Sequence, residues 1–416
     1  MHRRNFLKSS GAAISLAALF DPIGKNQAQA AFPDDNSEDL WRWVREQYTV
    51  SGNLINLNNG GVSPQPKSVQ EAHIRFYQYS NEGPTYYMWR ILDQGREALR
   101  MRLAELSGCD AEEIAINRNS TEGLNTIIFG LNLKAGDEVV LNRYDYPNMM
   151  NAWKQREKRD GIKLNWIEME FPCEDEDKIV KRYTDAITPR TKVVHITHLI
   201  NWTGQIMPAK KIAEAARKKG CEVIVDGAHS FAHIEYKIPD LGADYYATSL
   251  HKWLCAPFGS GLLYIRKEKI KDIWALLSND KPDGDNIRKF ESLGTRNMAS
   301  EMAIAQAIDF HLTIGAKRKQ QRLHQLKNYW MEKAAELPGI RFSTSKNPAY
   351  SCAIGHVGFA DKKGTQLESF LLDKFKVHTV AIDYEKLSGI RVTPNVYTSF
   401  EDLDRFVKGL KEFSKT

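Results

Sequence analysis

An aspartate and a lysine 26 positions apart, each delivered by an apolar run, carry the chemistry of this sequence. The run EVIVDGA (222–228) presents Asp226 and then His229; YYATSL (245–250) presents His251 and Lys252; the glycine-punctuated GSGLLYIR (259–266) follows. In a mostly parallel sheet, residues just past the carboxyl ends of neighbouring strands face one crevice. An acid and an amine placed this way can therefore meet. One chemistry that needs both is that of pyridoxal phosphate (PLP). The lysine condenses with its aldehyde, and the carboxylate keeps the pyridine nitrogen protonated so that the ring accepts electrons. A lone Asp–Lys pair is more often an ion pair at a sheet edge.

The surrounding residues turn the choice toward PLP. Asp226-Gly227-Ala228-His229, followed by Ser249-Leu250-His251-Lys252, resembles the signature of class V aminotransferase-fold PLP enzymes. The resemblance implies fold type I, an α/β architecture with a mostly parallel large-domain sheet and a smaller α+β C-terminal domain. It makes Lys252 the catalytic lysine and Asp226 the partner of the ring nitrogen. It further implies that Ser120, Thr121, Ser249, His251 and, across a homodimer, Thr295 anchor the phosphate. Tyr146 would stack on the ring, and His229 and Asn201 would orient its oxygen. Arg391 would clamp the substrate carboxylate, with Asn59 and Gly60 lining the substrate end.

The elements that must position these residues are readable along the chain. IAIN (114–117) reads as a short strand running into Ser120-Thr121, where an apolar-periodic helix starts. Ser or Thr there is a normal N-cap, with Glu122 in the first turn. The free N–H groups of a helix start also suit a phosphate. DEVVLNRYDYPNMMNAW (137–153) reads as strand, loop and helix, and puts Asp145-Tyr146 where the family commonly has an acid and a histidine. A phenol keeps the π-face but loses the imidazole's proton transfer. KLNWIEME (163–170) and KVVHITHL (192–199) read as strands, and KIVKRYTDAI (178–187) and AKKIAEAARKKG (209–220) as helices. The second strand leads into Asn201-Trp202-Thr203-Gly204, similar to the family's Asn-x-x-Gly loop. The alternation is that of a parallel α/β layer structure. Residues 40–48 and 67–107 read as helical, and INLNNGGVSPQP (55–66) as turns.

Residues 300–337 read as a long helical region linking to short strands and a closing helix, SFEDLDRFVKGLKEF. GIRVTPNVYTSFEDLDRF (389–406) is similar to the family's Arg-x-[ST]-x-x-x-Tyr segment. Arg391 is its clamp because a guanidinium fork matches a carboxylate. The expected organisation is a signal segment over 1–30, an N-terminal segment over 31–66, a large PLP-binding domain over 67–298, and a linking helix with the small domain over 299–416. His198, His233 and His356 stand alone and read as satisfied structural histidines.

The first residues read as a targeting segment. Arg3-Arg4 followed by Phe6, Leu7 and Lys8, a short apolar run, and Ala28-Gln29-Ala30 resemble a twin-arginine (Tat) signal with its cleavage site. That implies a partnership with the Tat export machinery and a periplasmic location, the protein folded around its cofactor before export. The chain has 416 residues and a formal charge of +6, of which +3 lies in the first thirty. With its acids and bases interspersed, it gives no reason to expect nucleic acid as a partner. The five cysteines show neither C-x-x-C nor metal spacing.

The resemblance is nearest to the isopenicillin N epimerase-like branch. A desulfurase needs a thiol on the loop before the carboxylate arginine, and VAIDYEKLSG (380–389) contains none. The expected activity is therefore at the α-carbon or α-amino group of an amino-acid or peptide-like small molecule, most of all aminotransferase-type. Epimerisation, or tailoring of a siderophore side chain, is the alternative. A PLP-fold binding or assembly module without catalysis is the reading from another class.

Overall fold

The computed structural model describes residues 37–416. The expected Tat signal and its cleavage site lie outside the described residues. Thirteen strands are numbered in chain order among them, beginning with β1 (Ile55–Asn56). The central sheet holds seven: β2 (Ile114–Asn117), β3 (Glu138–Asn142), β4 (Lys163–Ile167), β5 (Thr191–Thr197), β6 (Glu222–Asp226), β7 (Tyr245–Ser249) and β8 (Gly261–Ile265). Their order is β2-β8-β7-β6-β5-β3-β4. The pairs β7–β6, β6–β5, β5–β3 and β3–β4 are parallel, and β8 is antiparallel to both of its neighbours. Only β8 therefore runs against the rest, and the sheet is mostly parallel.

The strands read as apolar runs because both faces are covered. Alternate residues enter two different cores. Val140, Val223, Val225, Leu262 and Tyr264 belong to one. Val139, Leu141, Ile224, Leu263 and Ile265 belong to the other. This is the period-two geometry of a strand seen from both sides. Burying each such side chain contributes about 1.5–3 kcal/mol.

The helices come where the periodicity places them, with boundaries shifted by one or two residues. Pro147–Asp160, Glu176–Ala186 and Ala209–Lys218 connect successive parallel strands. The region after 298 is not one helix but three, Met298–Met302, Ile304–Ile314 and Ala316–Ala334. Gly315, at φ +86°, breaks the run between the last two. A left-handed residue cannot continue a right-handed helix.

The C-terminal sheet is antiparallel. It holds β9 (Ile340–Phe342), β10 (Gly355–Phe359), β12 (Val380–Tyr384) and β13 (Leu387–Val392) in the order β12-β13-β10-β9. Helices Ala316–Ala334 and Phe400–Phe413 pack on each other and share its core, with Trp330 and Phe406 meeting edge to face at 5.4 Å, and helix Gly364–Phe370 lies against β12 and β13. The remaining strand, β11 (Val377–His378), pairs in parallel with β1. These two form a sheet of their own that ties the N-terminal segment to the C-terminal region, and Asn58 also bridges to Thr393, just past β13.

Candidate active site

The carboxyl ends of β3, β5, β6 and β7 open onto one polar crevice. Asp226 ends β6, and its Oδ1 accepts from the Ala228 N–H at 2.9 Å. It is buried, which raises its carboxyl above the usual range, while that N–H and the Lys252 charge pull it back. Asp145, after β3, accepts from the Thr197 hydroxyl and the Asn142 N–H, both at 2.7 Å. Complete burial pushes Asp145 up to about 7, against those two hydrogen bonds, and the Asp226 charge adds to the rise.

Lys252 sits three residues beyond the end of β7. Its stem stays partly accessible, but its amine is desolvated, and burial lowers it to about 8. Asp226 counters that shift and Arg391 deepens it. The amine donates to His229 Nε2 at 3.0 Å, so the ring carries its proton on Nδ1. That Nδ1 is buried with no partner among the described residues. Burial, Lys252 and Arg391 together hold His229 well below the usual imidazole range, so it is neutral. The Lys252 ammonium lies 5.9 Å from the centre of the Tyr146 ring.

Arg391 reaches the same crevice from β13. Nη1 donates to the Asn201 carbonyl at 3.2 Å and Nη2 to Asn58 Oδ1 at 2.9 Å. Burial lowers it to about 10, and among the described residues no carboxylate forms an ion pair with it. Its Nε and the Asn201 side-chain oxygen are buried without partners. Gly204 closes the Asn201 loop at φ +77°, and the Ile354 carbonyl fills the space that a Cβ would take. Only glycine fits that turn.

The Ser120 end differs from the sequence expectation in one respect. The helix Ser120–Gly130 is capped by Asn119, whose Oδ1 accepts from the Glu122 N–H at 2.9 Å, not by Ser120 or Thr121. Ser120 is then freed for the crevice. Its N–H donates to Ser249 Oγ at 2.9 Å, and the two hydroxyls lie 3.0 Å apart. Thr121 sits half-buried in the first turn. His251 turns its Nδ1 to the Ser260 carbonyl at 3.1 Å, and burial lowers it to about 4.

Two expected residues stand apart from this cluster. Asn59 is buried, but its amide is spent on the protein: Nδ2 donates to the Asn56 and Thr393 carbonyls, and Oδ1 accepts from the Tyr397 hydroxyl at 2.6 Å. Its neighbour Asn58 is the one that touches Arg391. Thr295 is exposed, beside Gly294, Trp89 and Asp93 on the surface. Asn58 and Asp145 were legible only as a second asparagine in INLNNGG and as the acid before Tyr146. Of the three histidines read as satisfied, His233 is: Nδ1 meets the His229 carbonyl at 2.7 Å and Nε2 accepts from the Ala353 N–H at 2.9 Å. His198 is not, because among the described residues its Nδ1 has no hydrogen-bond partner, while His356 faces the Ile382 backbone.

Orphaned polar atoms belong to His229, which the Lys252 amine touches, and to Arg391 and Asn201, which touch each other. A buried amine, a buried acid on the adjacent strand, and unpaired donors and acceptors on neighbouring side chains fit PLP. Lys252 would hold its aldehyde, Asp226 its ring nitrogen, and Ser120 and Ser249 its phosphate.

The comparisons agree with this geometry. The chain is 28% identical over 400 residues to an isopenicillin N epimerase of Amycolatopsis lactamdurans, covering 90% of this chain and 99% of the relative. It is 26% identical over 398 residues to a probable cysteine desulfurase of Halalkalibacterium halodurans, covering 89% and 95%. The solved apo structure of a cysteine desulfurase from Thermococcus onnurineus superposes with a TM-score of 0.79 at 25% identity, covering 89% of this chain and 97% of that one. Residues 55–406 match the family described as Aminotransferase class-V, and the chain is a PLP-dependent enzyme of that family, with its fold type I architecture.

Proposed function

We propose that this enzyme acts at the α-carbon of an amino acid or peptide-like substrate whose α-carboxylate binds Arg391. The observation that carries the reading is a buried guanidinium that no carboxylate pairs with among the described residues, in the crevice that holds the Lys252 amine. Leaving such a charge unpaired is costly unless an anionic ligand completes it. Bound PLP supplies the electron sink for the pair left on the α-carbon when its proton departs. Lys252, its amine lowered to about 8, is suited to take that proton and return it near neutral pH. Asp226 holds the charge that the sink requires. Neutral His229 orients the Lys252 amine through its Nε2.

Transamination and epimerisation use all these groups, and the aminotransferase-type outcome was the sequence expectation. Epimerisation is favoured by one finding: two isopenicillin N epimerases, from Amycolatopsis lactamdurans and Streptomyces clavuligerus, each match at 28% identity over about nine tenths of this chain. Desulfuration is disfavoured. Residues 380–389 form most of the β12–β13 hairpin with no thiol in it, and burial raises Cys109 and Cys352 to about 12. Export through a Tat signal to the periplasm, and a homodimer in which Thr295 reaches the partner's cofactor, belong to the same proposal.

Incubating the holoenzyme with candidate amino acids in deuterium oxide separates the outcomes. Deuterium at Cα with the amino group retained supports epimerisation. A keto acid with conversion of the cofactor to its amine form supports transamination. If neither appears for any carboxylate-bearing amino acid, and Arg391→Gln leaves binding unchanged, the reading falls.

A further inference from the structure

The amide that sets the plane of Arg391 is itself set by a histidine. Asn58 Oδ1 accepts from Arg391 Nη2 at 2.9 Å, and Asn58 Nδ2 lies 3.3 Å from His378 Nε2. A guanidinium has donors only, so the oxygen of Asn58 must face it. The NH2 group then faces His378, and His378 Nε2 must accept. The arrangement requires a neutral His378 with its proton on Nδ1. A proton on Nε2 would set donor against donor. Relief comes by turning the Asn58 amide, which puts its NH2 group against the guanidinium and breaks the Arg391 bond. Protonation of His378 therefore opposes the alignment of Arg391.

The chain of contacts is held on strong supports. Asn58 donates its backbone N–H to Asn56 Oδ1 at 3.0 Å, and β1 and β11 pair in register, Asn56 opposite His378. The other groups around His378 do not take over its role. β1 carries no charge, and the charged residues of the helical turn Leu371–Phe375 that packs on β11, Asp373 and Lys374, are exposed, as is Lys376. None of them forms an ion pair with His378 among the described residues. The charged group that the Asn58 amide links to His378 is Arg391.

We propose that Asn58 and His378 are positioning residues for the substrate carboxylate, and that carboxylate affinity rises as His378 loses its proton. This rests on Arg391 as the carboxylate site. Its test uses 2-aminoisobutyrate, which has no Cα hydrogen and so binds without proton transfer, and its amide. Binding to the holoenzyme is measured by calorimetry and by the cofactor's absorbance across pH. His378 is followed independently by NMR of labelled histidine.

For the wild type, the Kd of the acid should fall as pH rises, with an inflection at the pH where His378 titrates. The amide should lack that inflection. His378→Gln, which offers a non-titrating oxygen at about the same reach, should retain the high-pH affinity and lose the inflection. Asn58→Ala should weaken the acid about tenfold, the scale of one hydrogen bond to a charged group, and leave the amide nearly unchanged. Asn58→Asp, isosteric and therefore a control for folding, should weaken the acid at every pH by neutralising Arg391. An inflection that survives in His378→Gln, or an Asn58→Ala variant that binds the acid as tightly as wild type, overturns the proposal while Arg391→Gln still loses binding. An Arg391→Gln variant with wild-type affinity overturns the carboxylate site itself.

Discussion

Replacing Glu291 by glutamine should unfold the wall behind the Ser120 turn. The Glu291 carboxylate is 3% exposed and accepts from Arg100 at 2.6 and 3.0 Å and from the Ile116 N–H at 2.6 Å. Arg96 Nη2 lies a further 2.9 Å away. The Ile116 bond fixes β2, the strand that runs into Asn119 and Ser120. The Glu291→Gln side chain would keep an acceptor but lose the charge. Arg96 would retain Glu301, and Arg100, itself 1% exposed on its side chain, would retain only the half-exposed Glu97 as an acid partner. Breaking one partner of a buried pair costs about 3–5 kcal/mol. At an m-value of about 3 kcal/mol/M, the urea midpoint should fall by about 1 M or more. The Arg100→Met/Glu291→Gln double variant should recover part of that loss, because it removes the stranded charge with its partner. Amide exchange at Ile116 should accelerate before global unfolding. A loss below about 1 kcal/mol, with no recovery in the double variant, would refute the claim that this carboxylate holds β2 in place.

Ser249→Ala should speed cofactor dissociation about tenfold, the worth of a hydrogen bond to a charged group, and should cost the cofactor-free protein about 1–3 kcal/mol, because the buried Ser120 N–H loses its acceptor; dialysis followed by absorbance reads the first and a urea titration the second. Gly261→Ala should displace the β2-to-helix turn, because a Cβ there would run into Asn117 Oδ1 and stand 2.6 Å from the Asn119 nitrogen; a cost of about 1–3 kcal/mol by urea titration, with weaker cofactor retention, is expected. Stability should rise with pH between about 4 and 6.5. Burial lowers His195 and His198 to about 4, and lowers His233 to about 3. Through that window the unfolded chain holds protons that the folded one excludes, so each histidine removes about 1.4 kcal/mol per unit of falling pH, the loss ending near its folded value. A flat profile of urea midpoint against pH over that interval would contradict it.

The strands and their faces were legible because burial on both sides leaves an unbroken apolar run, as in EVIVD and YYATS. The Asp226, His229 and Lys252 cluster was legible because strand ends converge in any sheet of this kind. What escaped depends on partners distant in sequence. Asn119 caps the helix in place of Ser120, whose own hydroxyl faces that of Ser249, 129 residues on. Asn58 was indistinguishable from Asn59 until Tyr397 and Thr393 engaged one and Arg391 engaged the other. The sense of β8 could not be read from GLLYI, since a doubly buried strand carries no mark of its direction.

The joining of β1 to β11 has a consequence for biosynthesis. Asn58 and Arg391 stand 333 residues apart, and Ser63 donates its N–H to the His251 carbonyl while its hydroxyl accepts from Asn395. A ribosome releases the first of these residues long before the last. The strands around Asp226 can assemble early, but the anion pocket stays open until the final few dozen residues have been translated. A truncated nascent chain could thus acquire a nearly complete central sheet and still be unable to recognise an acid.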